Sequence, residues 1–197
     1  IDFYLAYNDQ HRLHDITVYS VWHPDVEKHP AQQSAVNHYR YVDVTSLRAK
    51  LRKYVFRCQQ GDTCYYHHTI EYFLKEVMKD IRREKYDIII MENRPAYSLK
   101  LREVTDAKFV YHLHNDNLSE DIPKALPIYD HAYRILTVSN YIKGRVATIN
   151  PMDTKTRTVY NGINLEAFSQ NQGRKELSSD EFVMVFSGRI NEKKGIL

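Results

Sequence analysis

The chain has 197 residues, 43% hydrophobic and 27% charged, inside the range of ordinary globular proteins and outside that of disordered or fibrous ones. Six Gly and six Pro exclude collagen-like and low-complexity architectures, and 28 Lys and Arg against 25 Asp and Glu leave +3, too little to imply a nucleic-acid partner. No apolar run approaches the roughly 20 residues of a spanning helix, and Ile1-Asp2-Phe3-Tyr4 does not open a signal peptide, so a cytoplasmic address is expected.

At this length one domain is expected, or one with part of a second. Ile16 to Trp22 is β-branched and aromatic and predicts a strand. Tyr39 to Val44 predicts another, with a polar loop bearing His and Pro from His23 to His38 between the two. Leu47 to Arg57, LRAKLRKYVFR, carries Arg48, Lys50, Arg52, Lys53 and Arg57, with Arg40 nearby and no acid from Thr45 onward. On a helical wheel Leu47, Leu51, Tyr54, Val55 and Cys58 share one side. Such a helix either lies on an anionic membrane surface, each cation contributing about 1 kcal/mol, or is a solvated basic helix whose apolar side packs on the sheet. Cys58 and Cys64 have no second pair beside them, so neither a disulfide framework nor a four-cysteine zinc site can be built, and reduced thiols are expected.

His67 to Glu84 places Ile70, Phe73, Leu74, Val77, Met78 and Ile81 on one helical stripe, with Lys75, Lys79, Asp80 and Arg83 elsewhere on the surface. Tyr86 to Met91 then reads as a parallel strand covered on both faces, and Ala107 to Leu113 and Arg134 to Val138 repeat the pattern. Strands at helix-length intervals predict an α/β fold with a doubly wound parallel sheet, where ligands sit beyond the carboxyl ends of the strands. That rule points to Glu92-Asn93-Arg94-Pro95, to His112 through Asp116, and to Ser139-Asn140.

His112 and His114 lie two apart on a predicted strand and point the same way unless the strand ends between them; with Asp116 they form H-x-H-x-D. One reading is a divalent metal site of a metal-dependent hydrolase using His112 and His114; the other leaves His112 partly buried and hydrogen-bonded at a strand end. Glu92 and Arg94 could pair on the surface, and Ser139 either caps the helix beginning near Asn140 or contacts a ligand. Farther on, Thr158-Val159-Tyr160 leads into Asn161-Gly162, a turn signal. Residues 165–180 are mostly polar and read as a linker. Phe182 to Phe186 reads as a fresh buried-type strand before Ser187-Gly188-Arg189, the opening of a second domain.

Three of these segments belong together: TVS at Thr137 to Ser139, TVYNGI at Thr158 to Ile163, and FSGRINEKKGI at Phe186 to Ile196. They resemble the GT-B glycosyltransferases of family 4, retaining enzymes with a nucleotide-sugar donor. In that family a VYNGID-like segment closes the first Rossmann-like domain, and a strand with G-R-x4-K-G opens the second. Gly188, Arg189, Lys194 and Gly195 match in type and spacing, and Asn164 stands where the family usually has Asp. Upstream, LAYNDQHRLHDITVYS from Leu5 to Ser20 is similar to the family's end of the first helix and second strand, with Leu13 in place of the usual Gly.

The resemblance implies an acceptor-side domain over 1–164, a linker over 165–180, and the first strand and phosphate-binding turn of a donor domain over 181–197. It also implies a first strand and Gly-rich loop before Ile1, whose absence would open a gap in the sheet, and an E-x7-E motif after Leu197. His114 matches a single family His near the transferred sugar and is the expected catalytic residue. Gly188, Arg189 and Lys194 are expected to hold the donor diphosphate, and Asn93, Asn115, Ser139, Asn161 and Gly162 to face the acceptor or cleft. The ENRP tetrapeptide at Glu92 to Pro95 is similar to one in polysaccharide-building members.

The chemistry favours such residues. Breaking a sugar–diphosphate bond puts negative charge on the departing nucleotide, which a metal-free site meets with fixed cations. Arg engages two phosphate oxygens through its planar fork and Lys adds a point charge; the bland alternative is a solvated Lys/Arg turn. The expected activity is a hexosyltransferase moving sugar from a nucleotide-sugar to a glycan or lipid-linked acceptor in exopolysaccharide or capsule assembly. It needs no cofactor and no metal, and suits a cytoplasmic protein peripheral at the inner face of the plasma membrane. The chain alone is expected to be inactive and prone to self-association. The rival reading is a non-catalytic α/β module holding a small polar ligand in the same cleft.

Overall fold

A computed structural model of the chain describes residues 2–26, 34, 36–55, 68–163, 165, 184 and 188. Contacts divide the chain into two compact units, Ile1–Asn161 and Gly162–Leu197. The first holds α1 (Asp2–His11), β1 (Ile16–Val21), β2 (Asn37–Val42), α2 (Leu47–Val55), α3 (His68–Arg83), β3 (Ile88–Glu92), a 3-10 turn (Pro95–Tyr97), α4 (Ser98–Leu101), β4 (Lys108–Leu113), α5 (Ala125–His131), β5 (Ala132–Thr137), α6 (Asn140–Ala147) and β6 (Thr156–Thr158).

Every strand pairing among the described residues is parallel, and the fold is α/β and Rossmann-like, as the alternation of apolar runs with helix-length intervals requires. The sheet is nevertheless divided: β1 pairs with β2, and β3-β4-β5-β6 form a separate four-stranded sheet. A tyrosine pair bridges the two. Tyr86 Oη donates to Glu84 Oε2 at 2.7 Å and so spends its one proton; Tyr19 Oη, 2.9 Å from Tyr86 Oη, is therefore the donor of their bond. Arg40 of β2 reaches α3, bonding Asp80 at 3.1 Å and also Glu84. Arg40 is thus committed to two carboxylates and does not extend the basic surface of α2.

The stripe on α3 packs as its spacing dictates, with Leu74, Val77, Met78 and Ile81 buried and Ile70 and Phe73 lying against the core. Each fully buried side chain of this kind is worth about 1.5–3 kcal/mol. The outer face carries ion pairs between Glu71 and Lys75 and between Glu76 and Lys79. Phe109, Tyr111 and Leu113 of β4 have no exposed surface and form the centre of the core with Ile135 of β5, Ile128 of α5 and Val146 of α6. The Tyr111 hydroxyl, whose pKa burial pushes well up, donates to the Ile128 carbonyl at 2.8 Å.

Three expectations need correction. The run at β3 is not covered on both faces: Met91 is buried and Ile89 packs on the core, whereas Ile88 and Ile90 are more than half exposed. Side chains alternate across a strand, and the described elements cover one of its faces. Asn161-Gly162 runs on as coil without a turn, and both residues are exposed. Leu47 and Leu51 of α2 do not face the sheet; they are 78% and 64% exposed, while Ala49 between them is buried.

The end of α1, where Leu13 replaces a glycine of the resembling family, is made by Arg12 at φ 49, whose N–H returns to the Asn8 carbonyl at 2.7 Å. The buried Asn8 side chain secures this ending by bonding both the N–H and the C=O of His14, and it also bonds Asn37 of β2 at 2.9 Å. No helix among the described residues is long and apolar enough to cross a membrane.

Candidate functional site

Parallel strands bring their carboxyl ends to one edge, and Glu92 of β3 is the register partner of His112 of β4. Such partners stand about 4.8 Å apart with their side chains on the same face. Glu92 Oε2 lies 3.1 Å from His112 Nδ1 and 3.2 Å from His114 Nε2, so one carboxylate spans two imidazoles. The two rings are 4.4 Å apart between centroids. His112 and His114 therefore converge although the strand ends at Leu113. The side chain of His112 is 7% exposed, that of Glu92 25% and that of His114 37%, so the cluster opens outward on the His114 side.

Asp116 does not join them. Its Oδ2 accepts from Arg145 Nε of α6 at 2.6 Å, and Arg145 also bonds Ser119 Oγ at 3.1 Å and the Asp121 carboxylate. The H-x-H-x-D pattern is thus split between two sites, and Glu92 takes the place that the spacing offered to Asp116. Glu92 is likewise engaged by the histidines instead of Arg94. Its importance was hidden in the sequence because it depends on the β3–β4 register; its position immediately past the strand predicted at Tyr86 to Met91 was the available signal.

Asn93 follows β3 at φ 56, a left-handed conformation that Asn tolerates better than most residues. Its N–H donates to the His112 carbonyl at 2.8 Å, and its Oδ1 accepts from the backbone N–H groups of His114 and Asn115, each at 3.2 Å. The Asn93 amide oxygen is thereby spent on shaping the turn that presents His114. Asn115 is exposed beside it. Ser139 caps α6, its Oγ accepting from Ile142 N at 3.3 Å, which satisfies one of the orphan donors of a helix start. The Tyr4 ring of α1 meets His112 edge-on at 6.1 Å; burial first, and then the Glu92 charge, raise the pKa of its hydroxyl. Nothing in the sequence singled Tyr4 out.

Among the described residues, Glu92, His112 and His114 make a group able to hold a metal ion, their ligand atoms all within 4.8 Å of one another. Gly188 is exposed. Arg189 and Lys194 lie outside the described residues, as does the predicted strand at Phe182 to Phe186 apart from Met184, which is exposed and in no regular element.

A sequence model of the family described as Glycosyltransferase Family 4 matches residues 8–167. Over 147 residues, 66% of this chain, the sequence is 29% identical to spore coat protein SA of Bacillus subtilis (strain 168), covering 39% of that protein. Over the same length it is 28% identical to "Putative glycosyltransferase YtcC" of the same organism, covering 36% of it. The match therefore spans about two fifths of each relative.

Proposed function

The chain belongs to glycosyltransferase family 4, and from that membership we propose that it supplies the acceptor-side domain of an enzyme moving a hexose from a nucleotide-sugar to a growing surface glycan, an exopolysaccharide or capsule intermediate. The observation that carries the reading is the position of His114, outward-opening at the carboxyl edge of a parallel sheet, where α/β folds hold their ligands. There the imidazole offers a polar contact to the transferred sugar as the bond to diphosphate breaks and the electron pair leaves with the nucleotide.

In this reading Arg189 and Lys194, with Gly188 before them, meet the charge developing on the diphosphate, and the transfer step needs no metal. Asn115 and the edge near Ser139, Asn161 and Gly162 face the acceptor. Asn93 contributes chiefly by holding the turn that carries His114. The exposure of Leu47 and Leu51 beside Arg48 and Lys50 supports a peripheral contact of α2 with an anionic membrane, where a lipid-linked acceptor would be met. The match spans about two fifths of each relative, and the chain alone is proposed to be inactive. Transfer of label from a panel of nucleotide-sugars by the full-length protein tests the reading; no turnover with any donor would count against it.

A further inference from the structure

We propose that Glu92, His112 and His114 form a three-ligand site for a divalent transition-metal ion, with zinc the best fit. The case starts from register. Glu92 and His112 are partners across β3 and β4, and His114 returns to the same side past the strand end, so one oxygen-bearing and two nitrogen-bearing groups converge from adjacent chain segments.

The separations fit a first coordination sphere. Zinc bonds of about 2.0–2.2 Å at tetrahedral angles set ligand atoms roughly 3.4 Å apart along each edge. Here Glu92 Oε2 stands 3.1 Å from His112 Nδ1 and 3.2 Å from His114 Nε2. The same distances suit hydrogen bonds, and the remaining pair, the two imidazole nitrogens, lies within 4.8 Å. When the ion enters, each neutral imidazole carries its proton on the ring nitrogen away from Glu92, and the two lone pairs and the carboxylate turn onto the metal. The outward-opening side leaves a fourth position to water or to a ligand oxygen.

The donor set also decides which ion. Two imidazoles and a carboxylate suit zinc, cobalt or nickel, whereas magnesium and calcium call for oxygen ligands throughout. Protons compete for the same imidazole nitrogens, so affinity falls on acidification. The transfer proposed above is metal-free and uses His114, so an ion here would block it; that consequence alone rests on the glycosyltransferase reading.

The test is zinc titration by calorimetry of the chain carrying C58S and C64S, which removes competing thiols, with cobalt(II) absorption reporting coordination geometry. One zinc per chain is expected, with cobalt giving the intense visible bands of a four-coordinate site and excess magnesium failing to displace either ion. Glu92→Gln and His114→Asn, both at partly exposed positions and checked for folding by circular dichroism, should each weaken zinc binding at least about tenfold. Absence of one-to-one binding, or binding that both variants leave unchanged, overturns the proposal. Turnover by chelator-treated full-length protein separately tests the catalytic reading, so failure of one is distinguishable from failure of the other.

Discussion

Arg145 Nε lies 2.6 Å from Asp116 Oδ2, and this pair binds the loop after β4 to α6. The same guanidinium holds Ser119 and Asp121, so three loop residues converge on one cation. Arg145→Met would leave the Asp116 and Asp121 carboxylates without the counter-charge they share. Amide exchange over 115–121 should then accelerate on the order of tenfold while β4 stays protected, measurable by hydrogen exchange. Unchanged exchange would mean that backbone bonds alone order the loop.

Glu84 supplies the pH dependence. The Tyr86 hydroxyl first, and then the Arg40 guanidinium, hold its carboxyl below the usual glutamate range, with the charges of Arg40 and His38 adding to the effect. A depressed folded pKa means that the unfolded chain binds the proton more readily. The stabilisation is therefore complete above about pH 4.3, the unfolded value, and drains away as pH falls through the lower folded value. Glu84→Gln should flatten that part of an acid denaturation profile, and a profile as steep as wild type would contradict the assignment.

For the basic helix, liposomes containing anionic lipid should retain the chain at low salt and release it as salt rises, while neutral liposomes should not retain it. Reversing Lys50, Arg52 and Lys53 to Glu should abolish retention. Equal partitioning to both lipid types, or to neither, would leave α2 as a solvated helix.

Legibility from sequence divided along physical lines. The stripe from Ile70 to Ile81 and the apolar runs at β4 and β5 were readable because the local pattern reflects burial there, whereas the run at β3 gave the strand but not its exposed face. β6, only Thr156–Thr158, is too short and polar to carry a pattern, and α5 was hidden by Pro127, which a helix accepts only in its first turn. The end of α1 at Arg12 depends on the Asn8 side chain, a contact that spacing does not encode. The histidines were legible as candidates, but the Glu92 partnership and the loss of Asp116 to Arg145 are tertiary facts, set by strand register and by a helix about 30 residues downstream.

The match spans about two fifths of each relative, and the chain alone is expected neither to bind a nucleotide-sugar tightly nor to transfer from it. The half-exposed Ile88 and Ile90 on β3, an edge strand among the described residues, should also favour self-association. Calorimetric titration with a sizing measurement checks both: tight donor binding, or a monodisperse monomer at all concentrations, would contradict the corresponding half.

The most direct measurement is sugar transfer by the full-length protein and its His114→Ala variant, side by side, with thermal stability recorded for both. Turnover should fall between about tenfold and a thousandfold, the range for a lost polar contact to developing charge, while stability changes little because the side chain is substantially exposed. A folded variant that transfers sugar at the wild-type rate would contradict the role of His114 in the cleft.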